Sequence, residues 1–136
     1  APLLGLDGSV RLFANGTRML EAREQLIAQA SSTRIRNVAD LTLVAGIDFA
    51  GLGPLSGRLS GRYVGERVDS DYVDYLQPGE IVYPAYLVID LSTSLRVNER
   101  LRVGLTAKNL GDEDYFEVRG YNLPGRSLGI EVQASF

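Results

Sequence analysis

The last ten residues of the chain alternate between apolar and polar side chains. From Ser127 to Phe136 every second residue is apolar, and each residue between is polar or glycine. Because successive side chains of a β-strand point to opposite faces, the segment predicts a strand with one apolar and one polar face. A soluble protein would bury the apolar face in a core. A transmembrane barrel would turn it to lipid and keep the polar face toward a wet lumen.

Five further segments have strand character, and parity gives each an apolar face. They are residues 6–15, 41–49, 55–66, 87–96 and 101–108. The charged residues on the opposite face are Asp7, Arg11, Asp48, Arg58, Arg62, Glu66, Asp90, Arg96, Arg102, Lys108 and, in the last strand, Glu131. Four apolar residues share that face: Phe13, Val44, Val64 and Val88. A lumen tolerates an apolar group better than lipid tolerates a charge, so the pattern favours a barrel wall.

The connections between these segments alternate between short and long. Residues 50–54 and 97–100 have tight-turn lengths and turn chemistry, whereas residues 16–40, 67–86 and 109–126 form long connections. In an up-and-down sheet all short turns then lie at one end, as in outer-membrane barrels with short periplasmic turns and long external loops. We therefore predict an all-β fold: an antiparallel up-and-down meander of about six strands, part of a transmembrane β-barrel, with residues 1–136 as a single segment.

Composition narrows the function classes. The 136 residues carry a formal net charge of −3, so the basic stripe that nucleic-acid binding requires is missing and no nucleic-acid partner is expected. The absence of histidine and cysteine removes the usual nucleophile and base pairs and any thiolate metal site. A carboxylate pair such as Asp69 and Asp71 is the remaining catalytic option, and we predict that the chain is not an enzyme and uses no cofactor.

A run of motifs near the carboxyl end resembles a known family. Asn109-Leu110-Gly111-Asp112 is followed by Tyr115, by the segment Tyr-Asn-Leu-Pro-Gly-Arg at 121–126, and by a strand closed by Phe136. This run is similar to the carboxyl end of a TonB-dependent outer-membrane receptor, which usually shows Asn-Leu-aromatic-Asp-x-x-Tyr. Gly111 departs from that pattern at one position. The upstream run at 63–67 and the acidic segment after it also resemble such receptors.

The resemblance implies a larger transporter in the outer membrane of a Gram-negative bacterium, with a plug domain and a 22-stranded barrel. The chain would be its last six strands. The implied partners are outer-membrane lipid, the remainder of the parent barrel and plug, TonB through the missing amino-terminal region, and a small nutrient ligand such as a siderophore or cobalamin. Phe136 resembles the terminal aromatic that barrel-assembly machinery recognises. An isolated six-stranded piece would expose two open edges, so we expect it to oligomerise.

The long connections hold the candidate ligand-facing residues: Asp69, Asp71, Tyr72, Asp74, Tyr75, Tyr115 and Tyr121. The spacing of Asp69 and Asp71 is compatible with calcium ligation, but the full EF-hand pattern is missing and a solvated loop is the alternative. Two alternatives to the receptor stay open, a small self-assembling outer-membrane barrel and a soluble β-sandwich binding module.

Two local patterns also carry predictions. The cations on the polar face, Arg58, Arg62, Arg96, Arg102 and Lys108, either form a ladder for an anionic solute or pair with Asp48, Asp90 and Glu131 across strands. The helical spacing of Met19, Leu20, Arg23, Leu26, Ile27 and Ala30, with Thr17 as a cap, predicts a short helix in the first long connection.

Overall fold

Six strands of the chain form one sheet whose order follows the sequence. The structure, a computed structural model, describes residues 8–21, 23–25, 32–71, 79–118 and 120–136. The strands within those residues are β1 (Ser9–Arg18), β2 (Arg23–Gln25), β3 (Ser32–Arg34), β4 (Leu41–Leu52), β5 (Leu55–Val64), β6 (Arg67–Asp71), β7 (Gly79–Tyr83), β8 (Tyr86–Arg96), β9 (Leu101–Lys108), β10 (Phe116–Val118), β11 (Tyr121–Asn122) and β12 (Ser127–Ala134). The sheet order is β1-β4-β5-β8-β9-β12, which confirms the predicted antiparallel meander.

The three long connections contain hairpins of their own. β2 pairs with β3, β6 with β7, and β10 with β11, each as a two-stranded antiparallel sheet. The predicted strands therefore end close to where the sequence placed them, but the connections are more regular than expected. No helix among the described residues is long and apolar enough to cross a membrane.

The strand register confirms that the apolar side chains share a face. In β12 and β9, Leu128 lies opposite Ala107, Ile130 opposite Leu105 and Val132 opposite Val103. The β12 side chains Leu128, Ile130 and Val132 are 71%, 77% and 65% exposed. A soluble sandwich would bury this row in its core, whereas a lipid-facing barrel wall leaves it on the outside. The structure thus favours the barrel over the sandwich.

The predicted short helix in the first long connection is wrong where the structure describes it. β1 continues through Thr17 to Arg18, and Arg23 begins β2. Neither the predicted cap Thr17 nor Arg23 is therefore helical. Backbone pairing continues beyond β1, because Met19 N donates to Asp40 O at 2.8 Å. Strand pairing therefore overrides the helical spacing of the apolar residues. Leu26, Ile27 and Ala30 lie outside the described residues.

The two short connections are tight turns, as predicted. In the turn between β4 and β5, Gly53 has φ of +62°, a conformation that glycine adopts without steric cost. In the turn between β8 and β9, Asn98 Oδ1 accepts hydrogen bonds from the backbone N–H groups of Arg100 and Leu101, both at 2.8 Å. Residues of the turns themselves thus stabilise both chain reversals.

The chain divides into two compact units. One comprises residues 1–15, 44–62 and 87–136, and the other residues 16–43 and 63–86. In the second unit Val64, Arg67, Val68, Tyr83 and Tyr86 are buried. In the first, the buried residues include Val88, Ala107 and Asn109. Two of the apolar exceptions on the polar face, Val64 and Val88, are therefore buried residues rather than groups left in water.

Candidate functional site

The acidic connection between β5 and β8 begins as a hairpin. Asp69 lies on β6 opposite Ile81, and its Oδ2 accepts a hydrogen bond from the Tyr83 hydroxyl at 3.2 Å. Asp71 is the last residue of β6 and lies opposite Gly79. The other candidate residues of this connection, Tyr72, Asp74 and Tyr75, lie outside the described residues.

A buried arginine lies at the base of the same hairpin. The Arg67 guanidinium lies over the rings of Tyr83 and Tyr86, 5.4 Å and 5.7 Å from their centroids. Its Nη1 donates to Asn37 Oδ1 at 3.0 Å, and Asn37 N donates to Val68 O at 2.7 Å. Aromatic faces attract a cation when both are removed from water, so these contacts hold the hairpin base. The sequence did not predict this role for Arg67, because Tyr83 and Tyr86 lie 16 and 19 residues further along the chain.

Asn109 holds the base of the last long connection. Its side chain is only 3% exposed, its backbone has φ of +51°, and its N–H donates to Asp90 Oδ1 at 2.9 Å. The side-chain amide donates to Glu113 O at 2.8 Å and to Pro124 O at 3.4 Å, while Oδ1 accepts from Glu113 N at 2.9 Å. One asparagine thus connects the end of β9 to both sides of the loop. We call this set of contacts the Asn109 clamp.

A second connection closes the same loop. Asp112, with φ of +53°, accepts a hydrogen bond from Arg126 N at 2.8 Å, and its Oδ2 lies 3.4 Å from Arg126 Nη2. The hydrogen bond from the Arg126 backbone, then that from its side chain and its charge, lower the pKa of Asp112. Asp112 therefore stays ionised at neutral pH and keeps the residue before β12 in place.

The lowered pKa gives this contact a defined pH dependence. A carboxyl group with a lower pKa in the folded state stabilises that state above its ordinary pKa of 3.8. The contribution is lost as the pH falls below 3.8 and through the lower folded value. In protein labelled with ¹⁵N-arginine, we expect the Arg126 amide resonance to be constant from neutral pH to pH 5 and to shift below 3.8. Asp112→Asn should abolish that shift, and an identical shift in that variant would contradict the assignment.

The two tyrosine candidates of the last loop differ in exposure. Tyr121 begins β11 and is 74% exposed, whereas Tyr115 is half-buried and its carbonyl accepts from Leu123 N at 3.1 Å. Tyr121 is thus the one whose ring is more available to a ligand. The described contacts place Tyr115 and Tyr121 in one loop and connect Asp69 to Tyr83 in its own hairpin.

Gly111 departs from the aromatic residue usual in the resembled motif, and the structure shows that space does not require glycine there. Gly111 is exposed, and a Cβ at this position would meet no atom within 4 Å. The contacts that hold the loop base are made by Asn109 and Asp112, which lie on either side of it. The departure therefore leaves the geometry of the loop base intact.

The acidic residues that the structure describes form no evident metal site. Within residues 8–21, 23–25, 32–71, 79–118 and 120–136, no group of three or more carboxylates comes together in a way that could hold a metal ion. Asp69 uses one carboxylate oxygen to accept from Tyr83. The described contacts thus give the calcium alternative no further support.

Among the described residues of the charged face, Asp48 is the centre of an ion cluster. Asp48 on β4 lies between Arg11 on β1 and Arg58 on β5, and its Oδ2 accepts from Arg11 Nε at 3.0 Å and from Arg58 Nη2 at 3.1 Å. The Arg58 guanidinium also lies over the Phe13 ring, 5.2 Å from its centroid. Phe13, an apolar exception on the polar face, thus packs against a cation. Pairing across strands is confirmed for these residues.

The other predicted cation pairs are distributed differently. Arg62 pairs with Glu117 in the last long connection, Nη1 to Oε1 at 3.4 Å. Asp90 accepts from the Asn109 backbone. Among the residues that the structure describes, Arg96, Arg102 and Lys108 form no ion pair. The prediction of cross-strand pairing therefore holds for only part of the set.

Comparison with known proteins agrees with this architecture. The model of the TonB dependent receptor-like β-barrel family matches residues 4–110, and the chain belongs to that family. The six-stranded meander is accordingly part of a transmembrane β-barrel. The match ends at residue 110, so most of the motif run at 109–126 lies beyond it. No curated protein matches the chain.

Three solved structures show the same fold at low sequence identity. The siderophore receptor PirA from Acinetobacter baumannii has a TM-score of 0.67 at 15% identity, covering 93% of this chain and 20% of its own. The ferripyoverdine receptor of the Pseudomonas aeruginosa outer membrane, bound to ferripyoverdine, has a TM-score of 0.67 at 15% identity over 79% of this chain and 16% of its own. The P. aeruginosa ferric enterobactin receptor PfeA, as the Q482A mutant in complex with enterobactin, has a TM-score of 0.65 at 22% identity. The match covers 98% of this chain and 21% of that receptor. The chain thus spans about one fifth of these proteins.

Proposed function

We propose that the chain is the carboxyl-terminal barrel portion of an outer-membrane receptor that takes up a ferric siderophore by a TonB-dependent route. The observation that carries the proposal is that apolar and charged side chains lie on opposite faces of one sheet. The apolar row that includes Leu105 and Ile130 is exposed, while Arg11, Asp48 and Arg58 cluster on the other face. Such a wall suits a lipid-facing barrel with a wet lumen. The siderophore class is supported by what the structurally similar receptors bind.

In this proposal the wall is structural and the long connections face the ligand. The candidate ligand-facing residues are Asp69, Asp71, Tyr72, Asp74, Tyr75, Tyr115 and Tyr121. Exposed Tyr121 offers a ring with a hydroxyl at its tip, and such groups contribute large contact area with little loss of side-chain entropy. The Asn109 clamp and the contacts of Arg67 with the rings of Tyr83 and Tyr86 would hold the loops that carry these residues. The receptor binds and passes its ligand and performs no catalysis.

Uptake by cells tests the proposal. Deletion of the full-length receptor gene should abolish growth on a cognate ferric siderophore under iron limitation and reduce uptake of its radioactive iron to background. The intact gene should restore both only when TonB is present. Uptake of labelled cobalamin serves as the control for the other nutrient class. Loss of cobalamin uptake with unchanged iron uptake across a panel of siderophores would contradict the proposal.

We also propose that Phe136 is the residue by which assembly machinery recognises the barrel. Its side chain is fully exposed beyond β12, so the described residues of this chain offer no packing contact that would explain an aromatic at this position. Phe136→Ser should slow the appearance of heat-modifiable receptor in the outer membrane. The variant Ser135→Ala, at the preceding exposed residue, should not. Equal assembly rates for Phe136→Ser and the unmodified receptor would refute the role.

A further inference from the structure

The first and second long connections belong to one compact unit. That unit comprises residues 16–43 and 63–86, which include both connections and the strand ends next to them. Connecting segments usually run over a protein surface, yet this unit has buried residues of its own. They include Val64, Arg67, Val68, Tyr83 and Tyr86. The two connections thus meet around a shared core.

Asn37 connects the first long connection to β6. Its backbone N–H donates to Val68 O at 2.7 Å, and its Oδ1 accepts from Arg67 Nη1 at 3.0 Å. Asn37 has φ of +57°, a left-handed conformation that asparagine adopts more readily than most other residues with a side chain. One residue thus contacts two successive residues of β6, one through its backbone and one through its side chain.

A chain of contacts continues from Arg67 to Asp69. The Arg67 guanidinium lies over the Tyr83 ring, 5.4 Å from its centroid, and the Tyr83 hydroxyl donates to Asp69 Oδ2 at 3.2 Å. Arg67 and Asp69 share a face of the hairpin because they lie two residues apart on one strand. Arg67 and Tyr83 are 6% and 2% exposed, so the contact between them is shielded from water and strengthened. Asp69 is thus connected to Asn37 through buried side chains.

We propose that Arg67 is a positioning residue that joins the first and second long connections through Asn37. The two connections then move as one body and hold the Asp69 carboxylate in a fixed orientation. A side chain that is held in place before a ligand arrives loses less conformational freedom on contact, which raises the affinity. The use of Asp69 in ligand capture rests on the proposed function, whereas the joining of the two connections does not.

Hydrogen exchange in the full-length receptor in lipid nanodiscs tests the link. Asn37→Gly removes the amide oxygen, tolerates φ of +57° and keeps the backbone N–H that donates to Val68. We expect the backbone amide of residue 37 to lose protection by about tenfold or more, because hydrogen bonds to charged groups are stronger than neutral ones. Asn37→Asp keeps an acceptor oxygen opposite Arg67 and should retain the protection. Mass spectrometry with electron-transfer fragmentation measures the amide.

The variant Arg67→Met completes the comparison. Methionine can still pack against the tyrosine rings but donates no hydrogen bond, so residue 37 should lose protection as in Asn37→Gly. The double variant should exchange no faster than either single one, because the two changes remove the same bond. Independent, additive effects would overturn the proposal, and so would unchanged protection in Asn37→Gly.

Arg18→Gln is the matched control. It removes an exposed arginine from the end of β1 in the same unit and should leave the protection of residue 37 unchanged. Heat modifiability confirms that each variant has assembled.

Uptake kinetics separate positioning from a loss of folded receptor. The probe is ferric enterobactin labelled with radioactive iron, or the siderophore that supports growth in the uptake test above. Asn37→Gly should raise the half-saturating concentration about threefold to tenfold and leave the maximal rate unchanged, since only the ordering of binding groups is affected. Asn37→Asp should restore the original value. A lower maximal rate with an unchanged half-saturating concentration would reject the positioning role.

Failure of this proposal is distinguishable from failure of the proposed function. Hydrogen exchange reports the link without any ligand. Faster exchange in Asn37→Gly, together with no siderophore uptake by the unmodified receptor, would support the link and reject the siderophore. Normal uptake with unchanged exchange in Asn37→Gly would reject the link alone.

Discussion

Leu105→Lys is expected to destabilise the assembled receptor by about 2–4 kcal/mol, the cost of a lysine near the middle of a lipid-facing strand. Leu105 lies in the interior of β9, where it pairs with Thr93 of β8 and Ile130 of β12. Its side chain is 40% exposed on the apolar face. Lipid would have to accommodate the ammonium group or let it reach the interface, and both are unfavourable.

Thr106→Lys is the control for that change. Thr106 follows Leu105 on the same strand, pairs with Ser92 and Gly129, and is exposed on the charged face. The same lysine there should meet water and change the stability little. Urea unfolding of full-length receptor refolded into lipid vesicles measures both variants. Equal destabilisation by the two lysines would show that the faces are not in different solvents.

Asn109→Ala is expected to open the base of the last long connection. The change removes two donated bonds and one accepted bond from a buried position, and each buried polar group left unpaired costs about 1–3 kcal/mol. We expect the backbone amides of Asp112 and Arg126 to exchange with solvent at least roughly thirtyfold faster, equivalent to about 2 kcal/mol of local opening. Neither amide donates to the Asn109 side chain, so faster exchange reports opening of the loop base.

Two further variants separate the possible causes. Asn109→Gly tolerates φ of +51° without strain and still lacks the amide, so it should exchange as fast as the alanine variant. Asn122→Ala removes an exposed asparagine from β11 in the same loop and should leave exchange unchanged. Protection of Arg126 at the original level in Asn109→Ala would contradict the clamp. Protection in Asn109→Gly alone would assign the effect to backbone strain.

The main strands were predictable because their alternation is local. Strand β9 has the bounds expected from the sequence, and β12 begins at Ser127 as expected. β1 and β4 continue three residues past their expected ends, to Arg18 and Leu52. The alternation of apolar and polar residues weakens at these ends, while backbone pairing with the neighbouring strand continues. A prediction from the alternation alone therefore places the strand ends too early. The helix predicted in the first long connection was wrong for the same reason, because backbone pairing overrides the spacing of the apolar side chains.

The candidate site was less predictable than the strands. The sequence indicated which connections are long and which carry tyrosines and carboxylates. It did not indicate that Tyr83 donates to Asp69, or that Arg67 lies over two tyrosine rings. These contacts depend on the register of β6 and β7, which is set by backbone pairing between two short segments. The Asn109 motif was recognisable by resemblance, but its role as a clamp depends on Pro124, fifteen residues along the chain.

By itself, the sequence determined the two faces of the wall and their opposite solvents. Strand side chains alternate with a period of two, so the parity of Leu105 and Thr106 assigns them to different faces without knowledge of their neighbours. Only the tertiary structure decided which charges on the wet face are neutralised. Asp48 has two arginines within hydrogen-bond distance, whereas Arg96 and Arg102 lie opposite each other and pair with no carboxylate among the described residues, because pairing depends on the register of neighbouring strands.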